Sequence, residues 1–250
     1  MSNIQLVNRL IVNVTQITAD KIKSGRLHQY EWAQLDTKIQ DLYDAPIYVD
    51  DTPSLSVFEL RTKARRLVRE HKVKCIIIDY LQLMNASNMN TYSREQEVST
   101  ISRSLKGLAK ELNIPIIALS QLNRATENNM STKDGMDAKR PQLSNLRESG
   151  AIEQDADMVL FVHRPEYYHI YQDEKGNDLH GMAQIIIAKH RKGSTGDVLL
   201  NFRGEYTRFQ DPQEAAAAAA IAERGEGGIV SSRMNGGGDP LPPPPPGVDG

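Results

Sequence analysis

The chain has 250 residues, enough for one sizeable domain with a tail or for two small domains. Its 30 basic and 32 acidic residues leave a formal net charge of −2, which excludes a polyanion-binding surface spread over the whole molecule and restricts any such site to a local patch. The single cysteine, Cys75, excludes internal disulfides.

A reducing compartment suits that cysteine usage. The first residues lack the basic, apolar, small-residue order of a secretion signal, and no apolar run reaches the length of a bilayer span. The expected location is the cytosol.

The N-terminal stretch carries Ile4, Val7, Leu10, Ile11, Val14 and Ile17 at helical spacing. Beyond the break at Ser24-Gly25, Trp32, Leu35, Ile39 and Leu42 form a second apolar stripe, with Trp32 expected in the core or at an interface. The run from Pro46 to Asp51 predicts a short strand. Ser56 and Glu59 have capping-box spacing ahead of Leu60, Ala64, Leu67 and Val68. Arg61, Lys63, Arg65, Arg66 and Arg69 are expected on the solvated side of that helix, with nucleic acid as the alternative partner.

The segment from Lys74 to Leu83 is apolar and β-branched, and it places Asp79 where a buried parallel strand ends. Cys75 is expected in its core-facing set. A carboxylate in such a place can hold the magnesium of a nucleotide, or serve as a cap or turn residue. After a polar loop from Asn85 to Tyr92, Ser93 and Gln96 start a helix whose buried face is Val98, Ile101, Leu105, Leu108 and Leu112, and which Asn113 stops. Ile114 to Gln121 is another buried strand, tipped with an amide. Strand, helix and strand in this rhythm predict a crossover in a parallel sheet, with Asp79 and Gln121 both at carboxyl ends, where ligands sit.

Asn123 to Ser144 is a long polar loop with basic residues. Arg147 and Gly150 suit a phosphate and a close backbone approach respectively, while a helix cap is the plainer role. Glu153, Asp155 and Asp157 match no metal cage and are expected to be solvated or capping. Asp157 to Arg164 predicts a strand; Ala183 to Arg191 and Val198 to Phe202 predict a hairpin with a cationic tip, Lys189 and Arg191 emerging on one side. His163, His169 and His190 lack ligand spacing. From residue 211 onward, alanine, glycine and proline tracts predict a disordered tail.

Five strings, in order, carry a resemblance: IIIDYLQLM, SREQEVSTISRSLKGLAKELNIPIIALSQLNR, RPQLSNLRESGAIEQDAD, AKHRKGSTG and FRGEYTRF. Together they resemble the C-terminal motor domain of the bacterial replicative DNA helicases of the DnaB family, over residues 1 to about 209. The resemblance implies an α/β, RecA-like domain over residues 1–210, ahead of the tail at 211–250. It also implies a homo-hexameric ring that moves 5′ to 3′ along single-stranded DNA with ATP and magnesium, and meets primase and a helicase loader.

Carried onto this chain, the resemblance makes Asp79 the magnesium carboxylate, acting through water, and Gln121 a sensor of the γ-phosphate. Arg147, Glu148 and Gly150 would lie on the DNA backbone. Lys189 and Arg191 would be finger cations for a neighbour's nucleotide, a contribution of about 10³ to 10⁵ in rate.

The sequence departs from the family at its front. No GxxxxGK[ST] loop occurs, and the family's strand ending in a water-activating glutamate is met only from its following Met-Ser. Met1 and Ser2 are therefore expected to be an internal point of a longer protein, and the missing strand is expected to leave a gap between the Ile114 and Asp157 strands. The leading expectation is the C-terminal portion of a helicase motor. A non-hydrolysing, single-stranded-DNA-binding or ring-modulating subunit that donates Lys189 and Arg191 is the alternative, and a recombination- or clock-type RecA relative is a weaker third.

Overall fold

The structure is a computed structural model that describes residues 2–86, 93–122, 139–173 and 175–216, with the backbone alone for residues 147–149. The chain divides into two units, Met1–Pro212 and Gln213–Gly250, and the elements below belong to the first. Most of the expected tail, from residue 217 on, lies outside the described residues.

Three N-terminal helices, α1 (Asn3–Thr15), α2 (Ala19–Ser24) and α3 (Gln29–Tyr43), follow the two predicted stripes. A capping box opens α1: Ser2 Oγ accepts from the Gln5 amide at 3.3 Å while Gln5 Oε1 accepts from the Ser2 amide at 3.1 Å. The buried side of α1 is Val12 and Thr15, with Ile17 just beyond it, whereas Ile4 and Val7 are exposed. Trp32 is also half-exposed, at 49%, so of its two expected places, core or interface, the core is excluded. Between α2 and α3, Gly25 takes φ +67°, a conformation that costs little without a Cβ.

The stretch from Pro46 to Asp51 is not a strand. Asp50 instead makes local bonds that compete with a ladder: its Oδ1 accepts from the Thr52 amide at 3.1 Å and from the Thr52 hydroxyl at 2.6 Å. Its Oδ2 accepts from Lys63 at 2.7 Å. Lys63 first, and then Thr52, hold the Asp50 carboxyl down at about 2. This contribution is complete above the ordinary carboxylate value and is lost only as pH falls through about 2.

Helix α4 (Val57–His71) starts at the predicted Ser56–Glu59 box and buries Leu60 and Ala64. Its basic side is solvated and paired, Arg61 and Arg65 both reaching Glu111. Strand β1 (Ile76–Ile78) pairs in parallel with β2 (Ile116–Ala118), and α5 (Arg94–Leu112) crosses between them, ending where Asn113 adopts φ +54°. Both strands are shorter than their apolar runs, because β1 passes at once into a 3-10 turn, Leu81–Leu83. Cys75 precedes β1 and is exposed, contrary to the expected core position.

The first core joins Leu60 and Ala64 of α4 to Ile101, Leu105 and Leu108 of α5, with Leu81 and Met84, and β1 and β2 pack against it. Ile101 is fully buried, and burial of such a side chain contributes about 1.5–3 kcal/mol. After a 3-10 segment (Leu143–Ser149) and α6 (Gly150–Asp155), an antiparallel sheet follows in the order β3 (Met158–His163), β4 (Met182–His190), β5 (Gly196–Arg203), β6 (Arg208–Gln210). A second core of Leu146, Val159, Phe161 and Ile186 lies between this sheet and the 3-10 segment.

Among the described residues the two sheets share no ladder, β1 and β2 forming one and β3 to β6 the other. Ile117 and Leu119, in and just after β2, and Met158, Leu160 and Val162 of β3 are exposed. Open edges flanked by apolar side chains favour intermolecular pairing. Light scattering of the isolated chain should therefore show species growing with concentration, and Leu160→Lys should reduce that growth. A monodisperse species with a cooperative melt would contradict the expectation.

Candidate functional site

The parallel register pairs Ile78 with Ala118, so the residues after both strands emerge at one edge. The Leu119 amide donates to Ile78 O at 2.9 Å and the Leu81 amide donates to Leu119 O at 2.9 Å, so Asp79 is bracketed by main-chain bonds. The Asp79 carboxylate is exposed and has no hydrogen-bond or ion-pair partner among the described residues. Gln121, also exposed, follows two residues after Leu119 on the same side, and its side-chain amide is likewise unengaged.

One residue that sequence reading passed over holds this edge together. Gln82 Oε1 accepts from the Gln121 amide at 3.4 Å, and Gln82 Nε2 donates to Ser120 Oγ at 3.0 Å and to Gln121 O at 3.5 Å. The Gln82 carbonyl in turn accepts from Arg94 at the start of α5, and Arg94 also pairs with Glu97. The Ala86 amide first, and Arg94 after it, hold the Glu97 carboxyl below its ordinary range. Nothing in the spacing of Gln82 signals this role, which depends on the β1–β2 register.

Gly150 opens α6 at φ −53°, ψ −27°, an ordinary helical conformation, and a Cβ there would meet nothing within 4 Å. Packing among the described residues therefore does not require glycine at this position. The side chains of Arg147 and Glu148 lie outside the described residues; their backbone forms the end of the 3-10 segment that leads into α6.

The hairpin β4–β5 presents the predicted cations at the end of β4. Lys189 Nζ donates to Glu153 O, and Arg191 Nη2 donates to Gln154 O at 2.9 Å, so both emerge on one side and reach the carboxyl end of α6. Cations suit the unsatisfied carbonyls of a helix end. A bulge at Ala188, where β3 pairing skips from Lys189 to Ile187, re-aims the strand at this point. Beyond it, a Cβ at Gly193 would lie 2.5 Å from the His190 ring, so a larger residue there would have to displace that ring.

Of the acidic run, Asp157 is engaged: Oδ2 accepts from Lys106 of α5 and Oδ1 lies 3.4 Å from Arg191 Nη1. Lys106 first, and then the charges of Arg191 and Lys110, hold the Asp157 carboxyl below its ordinary 3.8. Among the described residues no three His, Cys, Asp or Glu side chains gather as a metal cage. A magnesium ion that keeps its waters and a nucleotide's phosphates needs only one or two carboxylates, and the exposed, unpaired Asp79 fits that requirement.

The model of the DnaB-like helicase C-terminal domain family matches residues 1–211. The chain belongs to that family. It is 45% identical over 209 residues to the replicative DNA helicase DnaB of Geobacillus stearothermophilus, covering 84% of this chain and 43% of that protein. It is 43% identical over 205 residues to the replicative DNA helicase DnaC of Bacillus subtilis (strain 168), covering 82% of this chain and 42% of that one. The chain thus spans less than half the length of these relatives.

Two solved structures share the fold. One, described as an ATPase domain, superposes with a TM-score of 0.72 at 38% identity, over 84% of this chain and 71% of that one. The other, a DnaB-like replicative helicase whose structure was described together with its interactions with primase, gives 0.73 at 37% identity, over 84% of this chain and 49% of that one. The fold is accordingly that of the RecA-like helicase ATPase domains.

The Gln82 clamp has a measurable local role. One net hydrogen bond contributes about 0.5–1.5 kcal/mol, or roughly 2- to 12-fold in an opening equilibrium. Gln82→Leu should speed amide exchange at Gln121 by about that factor while leaving the Leu119 amide, which sits in the ladder, unchanged. Equal acceleration at both amides would mean that Gln82 supports the whole strand pair.

Proposed function

We propose that this chain is the C-terminal part of a replicative DNA helicase motor, which works in the cytoplasm as one subunit of a hexameric ring around single-stranded DNA and unwinds duplex 5′ to 3′ with ATP and magnesium. The observation that supports this most directly is the delivery of two unengaged side chains, Asp79 and Gln121, from adjacent parallel strand ends. Bound magnesium-ATP supplies the transferable phosphoryl group and the cation that offsets its charge. Asp79 would hold the magnesium through water, and the ion would offset the charge of the phosphates. The Gln121 amide donates to a terminal phosphate oxygen, and the clamp on Gln82 keeps its main chain in place while it does so.

In this reading the phosphate-cradling loop, which the 250 residues do not contain, comes from another stretch of protein. Lys189 and Arg191 serve a neighbouring subunit's nucleotide, where a cation stabilises charge that develops during transfer. Arg147, Glu148 and Gly150 follow the DNA backbone, Arg147 through charge and Gly150 by letting the strand approach closely. Primase and a loader are the partners in keeping with the family.

Arg147→Ala should weaken binding of a fluorescent oligo-dT about equally for other sequences, and should lower the magnitude of the salt slope by about one. Gly150→Ala should leave the melting midpoint unchanged, because its Cβ meets open space, and still weaken DNA binding. Unchanged affinity in both variants would remove this segment from the DNA interface.

A second reading is favoured by one observation: the finger cations sit on a hairpin that needs no cradle of its own to be built. A chain of this kind could act in trans on an intact ring without hydrolysing ATP itself. Mixed with the intact Geobacillus stearothermophilus helicase, the chain should then change the ring's ATPase rate, and Arg191→Ala should abolish the change. No effect from either form leaves the motor-fragment reading and eliminates the modulating one.

A further inference from the structure

A guanidinium that serves a neighbour's phosphates cannot at the same time be held by its own chain, yet the Arg191 guanidinium is held here at two points and its main chain at a third. Its amide donates to Asp157 O at 2.8 Å, its Nη2 donates to Gln154 O at 2.9 Å, and its Nη1 lies 3.4 Å from Asp157 Oδ1. Two of the three points belong to Asp157. The contact is also open to water, since the Arg191 and Asp157 side chains are 49% and 60% exposed. An exposed pair of this kind is weak, so the arrangement is easily released.

A third element tunes it. Lys106, on the crossover helix α5, bonds to the other oxygen of the same carboxylate and competes with Arg191 for its charge. Asp157 therefore joins α5, the exit of α6 and the end of β4 at one carboxylate. Among the groups facing it, Lys106, Arg191 and Lys110 are cationic.

We propose that Asp157 is a positioning residue that docks Arg191 in a resting place on the carboxyl end of α6, in competition with phosphate for the same guanidinium. Asp157 touches no substrate in this role; it acts through Arg191. The proposal rests on the reading of Arg191 as a finger, and it adds to that reading a built-in rest state and the residue that sets it. Removing the carboxylate frees the finger, and removing its competitor Lys106 holds the finger more firmly.

The test uses the full chain in two measurements. In the first, ¹⁵N NMR of the Arg191 Nε–H group reads docking in the chain alone. Asp157→Asn should make this group more mobile and faster to exchange with water, Asp157→Glu should largely restore it, and Lys106→Met should make it more ordered. In the second, each form is mixed at limiting concentration with the intact Geobacillus stearothermophilus helicase, and the ATPase response is followed. Asp157→Asn should raise the response about two- to tenfold, and Lys106→Met should lower it.

The opposite signs separate positioning from misfolding, which would lower the response in both variants. Unchanged Arg191 signals in Asp157→Asn overturn the docking. Freed Arg191 signals with an unchanged ATPase response overturn the competition. A ring whose ATPase responds to the chain alike with and without Arg191→Ala overturns the finger reading itself, and Asp157 is then a structural clamp, whatever the NMR result.

Discussion

The parallel pairing of β1 with β2 is the constraint on which the candidate site depends. Two main-chain bonds, Leu119 to Ile78 and Leu81 to Leu119, fix where both strands end, and every later distance at that edge follows from them. Each bond contributes only about 0.5–1.5 kcal/mol net, so the ladder does not hold itself together. The stability comes from α5, whose Ile101, Leu105 and Leu108 press on α4 and on the inner faces of the two strands. A helix on one side thus secures an edge whose end, at the candidate site, is left open.

The same division of labour explains why polar groups at the site stand unpaired while nearby ones are satisfied several times over. Gln82 spends all of its amide on main-chain and hydroxyl groups of the neighbouring strand end, and Arg94 and Glu97 extend that network into α5. Asp79 and Gln121 are left with free side chains on a backbone that cannot drift. Preorganised groups of this kind lose little entropy when a charged ligand arrives.

Much of this was legible in the residues. The period of Val98, Ile101, Leu105 and Leu108 specified α5 and its buried face, Ser56 with Glu59 specified the start of α4, and the apolar runs ending at Asp79 and Gln121 specified a parallel pair with both tips at one edge. The hairpin and its cationic end were equally plain. What escaped was set by neighbours distant in sequence. The stretch from Pro46 to Asp51 has strand composition, but Asp50 turns its backbone towards Thr52 and Lys63. Cys75 and Trp32 look like core residues and are exposed, because nothing among the described residues packs over them. Gln82 and Asp157 gain their roles only from partners 39 and 34 or more positions away, Gln121 for one and Arg191 and Lys106 for the other.

The bulge at Ala188 decides which surface of the hairpin is positively charged. Counting by twos from Ile186, a buried partner of Phe161, the alternation of a regular strand would assign Ala188 to the core side and Lys189 to the opposite one. The extra residue breaks that phase: Lys189 stands opposite Val159, itself a core residue, and so shares the side of α6. The direction of the cations is therefore carried by a residue count and not by any side chain. Deleting Ala188 would remove the bulge and still leave Lys189 opposite Val159, whereas a strand that kept Ala188 in a regular ladder would turn both cations to the other face with every charged residue still present.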